Sequence, residues 1–176
     1  MSEDRQIELM NIFIKAFCKY GLEGTTTKKL AMEANLSEAG LYVYFKNKED
    51  IMKKCVEYIR NEAMKETQVM LKKYGDDPEA FIRAMFHFVN SKLEEERFVL
   101  EFMLNPNYRP MVSDLRKELL GSLQQQSEKL QDYYLSKKDG YAMVLLLNSA
   151  LNNYIFTQDE DGFLIQMNFL LKLIRK

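Results

Sequence analysis

Apolar side chains recur along this chain at spacings of three and four, the period of a helix with one buried face. In residues 5–20 the set is Ile7, Met10, Ile14, Phe17 and Cys18, and Gly21 follows as a stop signal. Thr25, Thr26 and Thr27 then offer N-caps for a short helix over about 27–34 that buries Leu30, Ala31 and Ala34. Asn35 stands where the chain must reverse sharply, and Asn tolerates the left-handed backbone better than other non-glycine residues. Ser37 is positioned to cap a second short helix, about 37–44. The stretch Lys46-Asn47-Lys48-Glu49 interrupts it, and Asn47 can cap the next helix.

Beyond residue 48 the helices lengthen. The pattern predicts one to Lys73, stopped by Tyr74-Gly75-Asp76-Asp77-Pro78, then others over 78–95, 96–105 and 110–136. Ser136-Lys137-Lys138-Asp139-Gly140 reads as a loop. Two last helices, 139–157 and 160–175, are separated by Asp159-Glu160-Asp161-Gly162. The expected fold is all-α, with about nine helices. A three-helix unit over 1–50 is followed by a larger helical domain over 51–176, and one long helix from about 48 is shared at the join. Only 7 Gly and 3 Pro in 176 residues argue against a chain of many strands and turns.

The longest apolar run, Tyr141 to Leu147, is far short of the about 20 residues that cross a bilayer, so no membrane association is expected. The opening MSEDRQIELM is acidic and polar, which predicts no signal peptide and a cytoplasmic location. Cys18 and Cys55 are too few for a disulfide framework or a zinc site and read as packed free thiols. Net charge is −1, but residues 15–48 hold six lysines against Glu23, Glu33 and Glu38. That local excess matters because two short helices joined by a tight turn describe a helix-turn-helix, whose second helix lies in the major groove.

Specific residues strengthen this. Phe17-Cys18-Lys19-Tyr20-Gly21-Leu22-Glu23-Gly24-Thr25-Thr26, then Leu30-Ala31, Ala34, Leu36-Ser37 and Leu41-Tyr42-Val43-Tyr44-Phe45-Lys46-Asn47-Lys48-Glu49-Asp50-Ile51, resemble the DNA-binding domain of the TetR family of transcriptional repressors. The resemblance covers about residues 8–52. It implies a ligand-responsive regulator, a repressor that holds a palindromic operator as a homodimer and releases it when a small molecule binds the second domain. By the same resemblance Tyr42 and Lys48 reach phosphates. The expected DNA-facing set is Thr26, Thr27, Lys28, Ser37, Glu38, Ala39, Gly40, Tyr42, Tyr44 and Lys48. The chain departs from the family in having Asn35 where Gly is usual at the turn, Ala39-Gly40 after the cap, and Glu38 where Lys, Arg or Gln is common. Positions 38–44 contain no Lys or Arg, so the commonest specific contact, Arg to guanine, is not open to this helix.

The larger domain carries no comparable motif. The resemblance implies a ligand cavity there, and the density of Met and aromatic residues suggests an apolar ligand near Tyr58, Met85, Phe86, Phe102, Met103 and Leu123. The last two helices are apolar around most of their circumference, which predicts burial against a second subunit through Leu146, Ala150, Asn153, Phe163, Met167 and Leu170. Catalysis is not expected. His87 has no nucleophile at triad spacing and reads as a partly buried structural residue, Glu94-Glu95-Glu96 reads as a solvated face, and no phosphate-binding loop is present. No cofactor or metal is expected. The competing reading is a helical adaptor or ligand-binding protein that has lost specific DNA recognition, motivated by the groove face without Lys or Arg.

Overall fold

Thr25 explains how the first helix is tied to the second. Its side chain is fully buried, and its hydroxyl donates to the Gly21 carbonyl at 2.7 Å, closing the turn that ends α1 (Glu3–Tyr20). Gly21 takes φ +72°, which glycine adopts at no steric cost. A side chain on Gly24 would drive its Cβ into the Tyr20 carbonyl oxygen, so only glycine fits there. In this computed structural model, which describes residues 3–130 and 137–174, nine α-helices follow one another without strands among the described residues.

Helix α2 (Thr27–Glu33) starts on Thr26, whose hydroxyl accepts from the Lys29 N–H. Asn35 reverses the chain with φ 52°, and the Leu36 N–H reaches back to the Ala31 carbonyl at 2.8 Å, a six-to-one closure of a helix end. Helix α3 (Glu38–Leu41) is capped by Ser37, which accepts from the Gly40 N–H. It is shorter than the expected 37–44. The Leu41 carbonyl accepts from both Tyr44 and Phe45 N–H groups, so the chain tightens into a turn before α4 (Lys48–Tyr74). Asn47 accepts from the Asp50 N–H, and the Asp50 carboxylate accepts in return from the Lys46 N–H, which fixes the start of α4.

Helix α5 (Pro78–Ser91) is capped by Asp77 with Pro78 in its first turn. It ends four residues before the expected position, where Lys92 N–H turns back to the Val89 carbonyl, and α6 (Leu93–Leu104) begins at once. A short 3-10 turn, Pro106–Tyr108, precedes α7 (Val112–Leu130). Helix α8 (Lys137–Thr157) already includes Lys137–Gly140, so the expected loop there is overturned apart from Ser136, which lies outside the described residues along with the end of the expected 110–136 helix. Helix α9 (Glu160–Ile174) starts directly after Asp159, whose side chain accepts from the Gly162 N–H, so the connection is only Gln158 and Asp159.

The helices form two compact units. The first comprises the described residues up to Glu62 together with Glu94–Val112, and the second comprises Ala63–Leu93 with the described residues from Ser113 onward. In the first, Phe13 meets Phe45 edge to face at 5.5 Å, Phe17 stacks on Phe98 at 5.1 Å, and Phe102 stacks on Tyr108. The α1 and α4 helices bury Leu9, Ile51, Met52, Cys55 and Val56 around them. In the second, Phe86 packs against Tyr154 at 4.8 Å and Phe163 at 4.7 Å, and the Tyr154 hydroxyl donates to Asn90 at 2.6 Å.

One expectation about charge fails in the first unit. Glu96 of the acidic triplet is not solvated but 6% exposed, facing Arg60 of α4 at 4.0 Å. Helix α6 turns one of its three successive glutamates inward. Burial pushes that carboxyl up from its ordinary range, opposed by the Arg60 charge. A carboxyl raised in the folded state contributes stability below the unfolded pKa, and that contribution is lost as pH rises through the folded value. Glu96→Gln is therefore expected to raise the melting temperature at pH 7, with the difference closing as pH falls through the carboxylate range. Thermal melts of both proteins at pH 4 and pH 7 check this; a Gln variant less stable at pH 7 would mean that Arg60 dominates.

Candidate nucleic-acid interface

The outer side of α2, α3 and the following turn is built from side chains that the core cannot use. Leu30, Ala31, Leu41 and Phe45 point inward and are buried. Their neighbours are left outside: Tyr42 is 50% exposed and Val43 is 64% exposed, while Lys28, Glu38 and Ala39 are also exposed. Thr26 and Ser37 are exposed as well, but both serve as N-caps. Tyr44 and Lys48 are half-buried, the latter as the first residue of α4. Gly40 has an intrachain reason to be glycine, since a Cβ would sit 3.2 Å from the Ser37 capping oxygen.

Acidic groups near this surface are already engaged. Glu33 accepts from the Tyr20 hydroxyl at 2.8 Å and faces Lys19 at 3.6 Å. Asp50 pairs with Lys54. Glu38 accepts from the Thr27 hydroxyl at 3.1 Å, a bond that joins α2 to α3. Lys29 donates to the Gly24 carbonyl and lies over the Tyr20 ring, so it belongs to the scaffold, whereas Lys28 and Lys46 extend into solvent. The exposed side chains of this surface are thus apolar or hydroxyl-bearing apart from Glu38, Lys28 and Lys46. The expected set leaves out Met32 of α2 and Val43 of the turn after α3, both 64% exposed; exposed apolar groups of this kind are suited to thymine methyl contacts.

The other expected sites divide between the units. Tyr58, Phe102 and Met103 belong to the first, with Phe102 fully buried; Met85, Phe86 and Leu123 belong to the second, with Phe86 and Leu123 buried. Of the residues expected at a subunit contact, Leu146 and Asn153 are exposed. Ala150, Phe163, Met167 and Leu170 are instead buried within the chain's own second unit, because α8 and α9 turn those faces toward each other and toward α5. Exposed apolar groups on the same helices are Leu145, Leu146, Phe156, Leu164, Ile165, Phe169 and Leu173. His87 is exposed rather than partly buried. Burial raises the Cys18 thiol to about 11 and raises that of Cys55 as well, so neither is a ready thiolate at neutral pH. The described residues contain no cluster of His, Cys, Asp and Glu that could hold a metal, and no helix among them is long and apolar enough to cross a membrane.

Residues 14–55 match the family of bacterial regulatory proteins, tetR family. The chain is 21% identical over 179 residues to the uncharacterized HTH-type transcriptional regulator YuxN of Bacillus subtilis, an alignment covering 98% of this chain and 61% of that protein's length. It thus spans less than two thirds of that relative. Its fold is similar to a transcriptional regulator from Rhodococcus sp. Rha1, with a TM-score of 0.75 at 13% identity over 97% of each chain. It is also similar to the multidrug binding protein EbrR solved with imidazole, with a TM-score of 0.72 at 17% identity over 99% of this chain and 92% of that one. At such identities these two likenesses speak for the fold alone. The tetR match falls on the residues that build this exposed surface, so residues 14–55 form a helix-turn-helix similar to that of the tetR family, within a helical fold that recurs along nearly the whole chain.

Proposed function

We propose that the protein is a cytoplasmic, ligand-responsive repressor. Residues 1–50 act as the DNA-binding domain and 51–176 as the ligand-binding and dimerisation domain. Two subunits grip a palindromic operator, and a small apolar molecule releases it. The observation that carries the DNA half of this reading is the exposed outer side of α2 and α3, with Glu38, Ala39, Tyr42 and Val43 uncovered together with Lys28 and Lys46. The dimer half is supported by the apolar side chains of α8 and α9 that the chain itself leaves exposed. The ligand half is supported by the Met and aromatic content of 51–136 and by fold similarity to a protein described as multidrug binding.

Two titrations test it. Lys48→Ala should weaken operator binding similarly for all sequences and lower the slope of log affinity against log salt by about one unit, as loss of one phosphate contact requires. A neutral apolar dye such as Nile red should bind about a hundredfold more weakly in the presence of operator, a coupling of about 2.7 kcal/mol. Linkage demands that the dye weaken operator binding by the same factor. Equal dye affinity with and without operator would remove the inducer role, and an unchanged salt slope would remove Lys48 from the interface.

A further inference from the structure

Glu38 is an unusual group to find on the groove side of a helix-turn-helix. The major groove is lined by phosphates, and a carboxylate there is repelled unless it meets a hydrogen-bond donor. Here the side chain is exposed and held in place. Thr27, the first residue of α2, donates its hydroxyl to Glu38 Oε2 at 3.1 Å across the turn. The partner in this bond is a neutral hydroxyl rather than a cation. Thr27 is β-branched, with few side-chain rotamers open to it, so the bond also fixes where the carboxylate lies before any DNA arrives. A carboxylate has about four acceptor positions, and this bond uses one.

We infer that the Thr27–Glu38 pair reads a cytosine in each operator half-site, with the carboxylate accepting from the cytosine N4 amino group. The inference rests on the proposed DNA-binding role of this surface. Base edges in the major groove offer two donors, the N6 amino group of adenine and the N4 amino group of cytosine. Beside adenine N6 lies N7, an acceptor that repels a carboxylate. Beside cytosine N4 lies the C5 hydrogen, which does not. Guanine and thymine present only acceptors and a methyl group and are disfavoured outright. Neither Lys nor Arg occupies positions 38–44 to override this choice with a guanine contact. Adjacent Ala39 is small and exposed, so it leaves room for the carboxylate to approach the base edge.

The test is selection of duplexes from a randomised pool by the full-length protein, followed by titration of the selected site. The expected consensus has cytosine at one symmetric position in each half-site. Replacing that cytosine with 2-pyrimidinone, which lacks the amino group, should weaken wild-type binding about tenfold, the scale of one lost base contact. Glu38→Gln should show no such loss and should shift its preference at that position toward adenine, whose N6 and N7 suit a carboxamide. Thr27→Val should keep cytosine as the preferred base but narrow the discrimination severalfold. If Glu38→Gln selects the same consensus with the same sensitivity to 2-pyrimidinone, the pair merely ties α2 to α3, while the DNA-binding reading stands. If the wild-type protein selects no consensus at all, both readings fall together.

Discussion

Phe169→Glu is expected to turn a dimer into a monomer at micromolar concentration and to lower operator affinity more than a hundredfold. Phe169 of α9 is 64% exposed, and Ile165, one turn earlier, is 70% exposed. Burying a phenylalanine is worth about 1.5–3 kcal/mol, and a two-fold axis counts each residue twice. A glutamate at the same place removes that gain and adds the cost of a desolvated, unpaired charge on both sides of the axis. DNA binding must follow assembly. Two recognition helices address successive major grooves about 34–36 Å apart only when the subunits are joined. Leu146→Glu on α8 should act in the same direction. Sedimentation of wild type and variants, with operator titrations on the same samples, decides the matter. A wild-type protein that sediments as a monomer, or a Phe169→Glu variant that stays dimeric, would place the apolar face in some other role.

That face also shows where the sequence stops being legible. On α9 two apolar stripes run in parallel. Phe163, Met167 and Leu170 go inward, while Ile165, Phe169 and Leu173 go outward. Both follow helical spacing, and both are made of large aliphatic and aromatic side chains. Nothing in the order of residues says which stripe meets α5 and α8, because that choice is set by how the neighbouring helices dock. Helix ends are legible where a residue has a distinct backbone or capping role. Gly21, Asn35, Ser37 and Asp77 are such cases, and each terminates or starts a helix through a named φ angle or hydrogen bond. The break between α5 and α6 has neither Gly nor Pro, so periodicity alone places it too late. Glu96 is misread for a related reason. Three successive glutamates look solvated until Arg60, on another helix, is brought beside one of them.

Among the candidate site residues, the helix-turn-helix set can be placed from sequence because local spacing creates it. The exposure of Glu38, Ala39 and Tyr42 follows from Leu41 and Phe45 being drawn into the core on the opposite side. The Thr27 to Glu38 bond, by contrast, is invisible in the sequence. It depends on the turn angle at Asn35, which brings two residues of different helices within 3.1 Å. The expected ligand residues have no such local logic, since they come from several helices and share only their apolar character.

Phe17→Ala is expected to destabilise the protein by about 3–5 kcal/mol, a large share of the roughly 5–15 kcal/mol that holds a typical domain folded. Phe17 is 1% exposed, and its ring stacks face to face on Phe98 of α6 at 5.1 Å, with 11° between the planes. Truncation removes transfer free energy and leaves a cavity between α1 and α6 that two rigid helices cannot fully close. The first unit should suffer most, because α1 is the platform against which Phe45, Leu30 and the helix-turn-helix are packed. At roughly 2–4 °C per kcal/mol for a chain of this size, the melting temperature should fall by about 10 °C. Phe17→Leu, which keeps most of the volume, should lose much less. Thermal unfolding of both variants checks the ranking. Operator binding measured well below the melting transition separates the two consequences: a folded Phe17→Ala protein that binds operator as tightly as wild type would show that the stack holds the unit together without setting the position of the recognition helix.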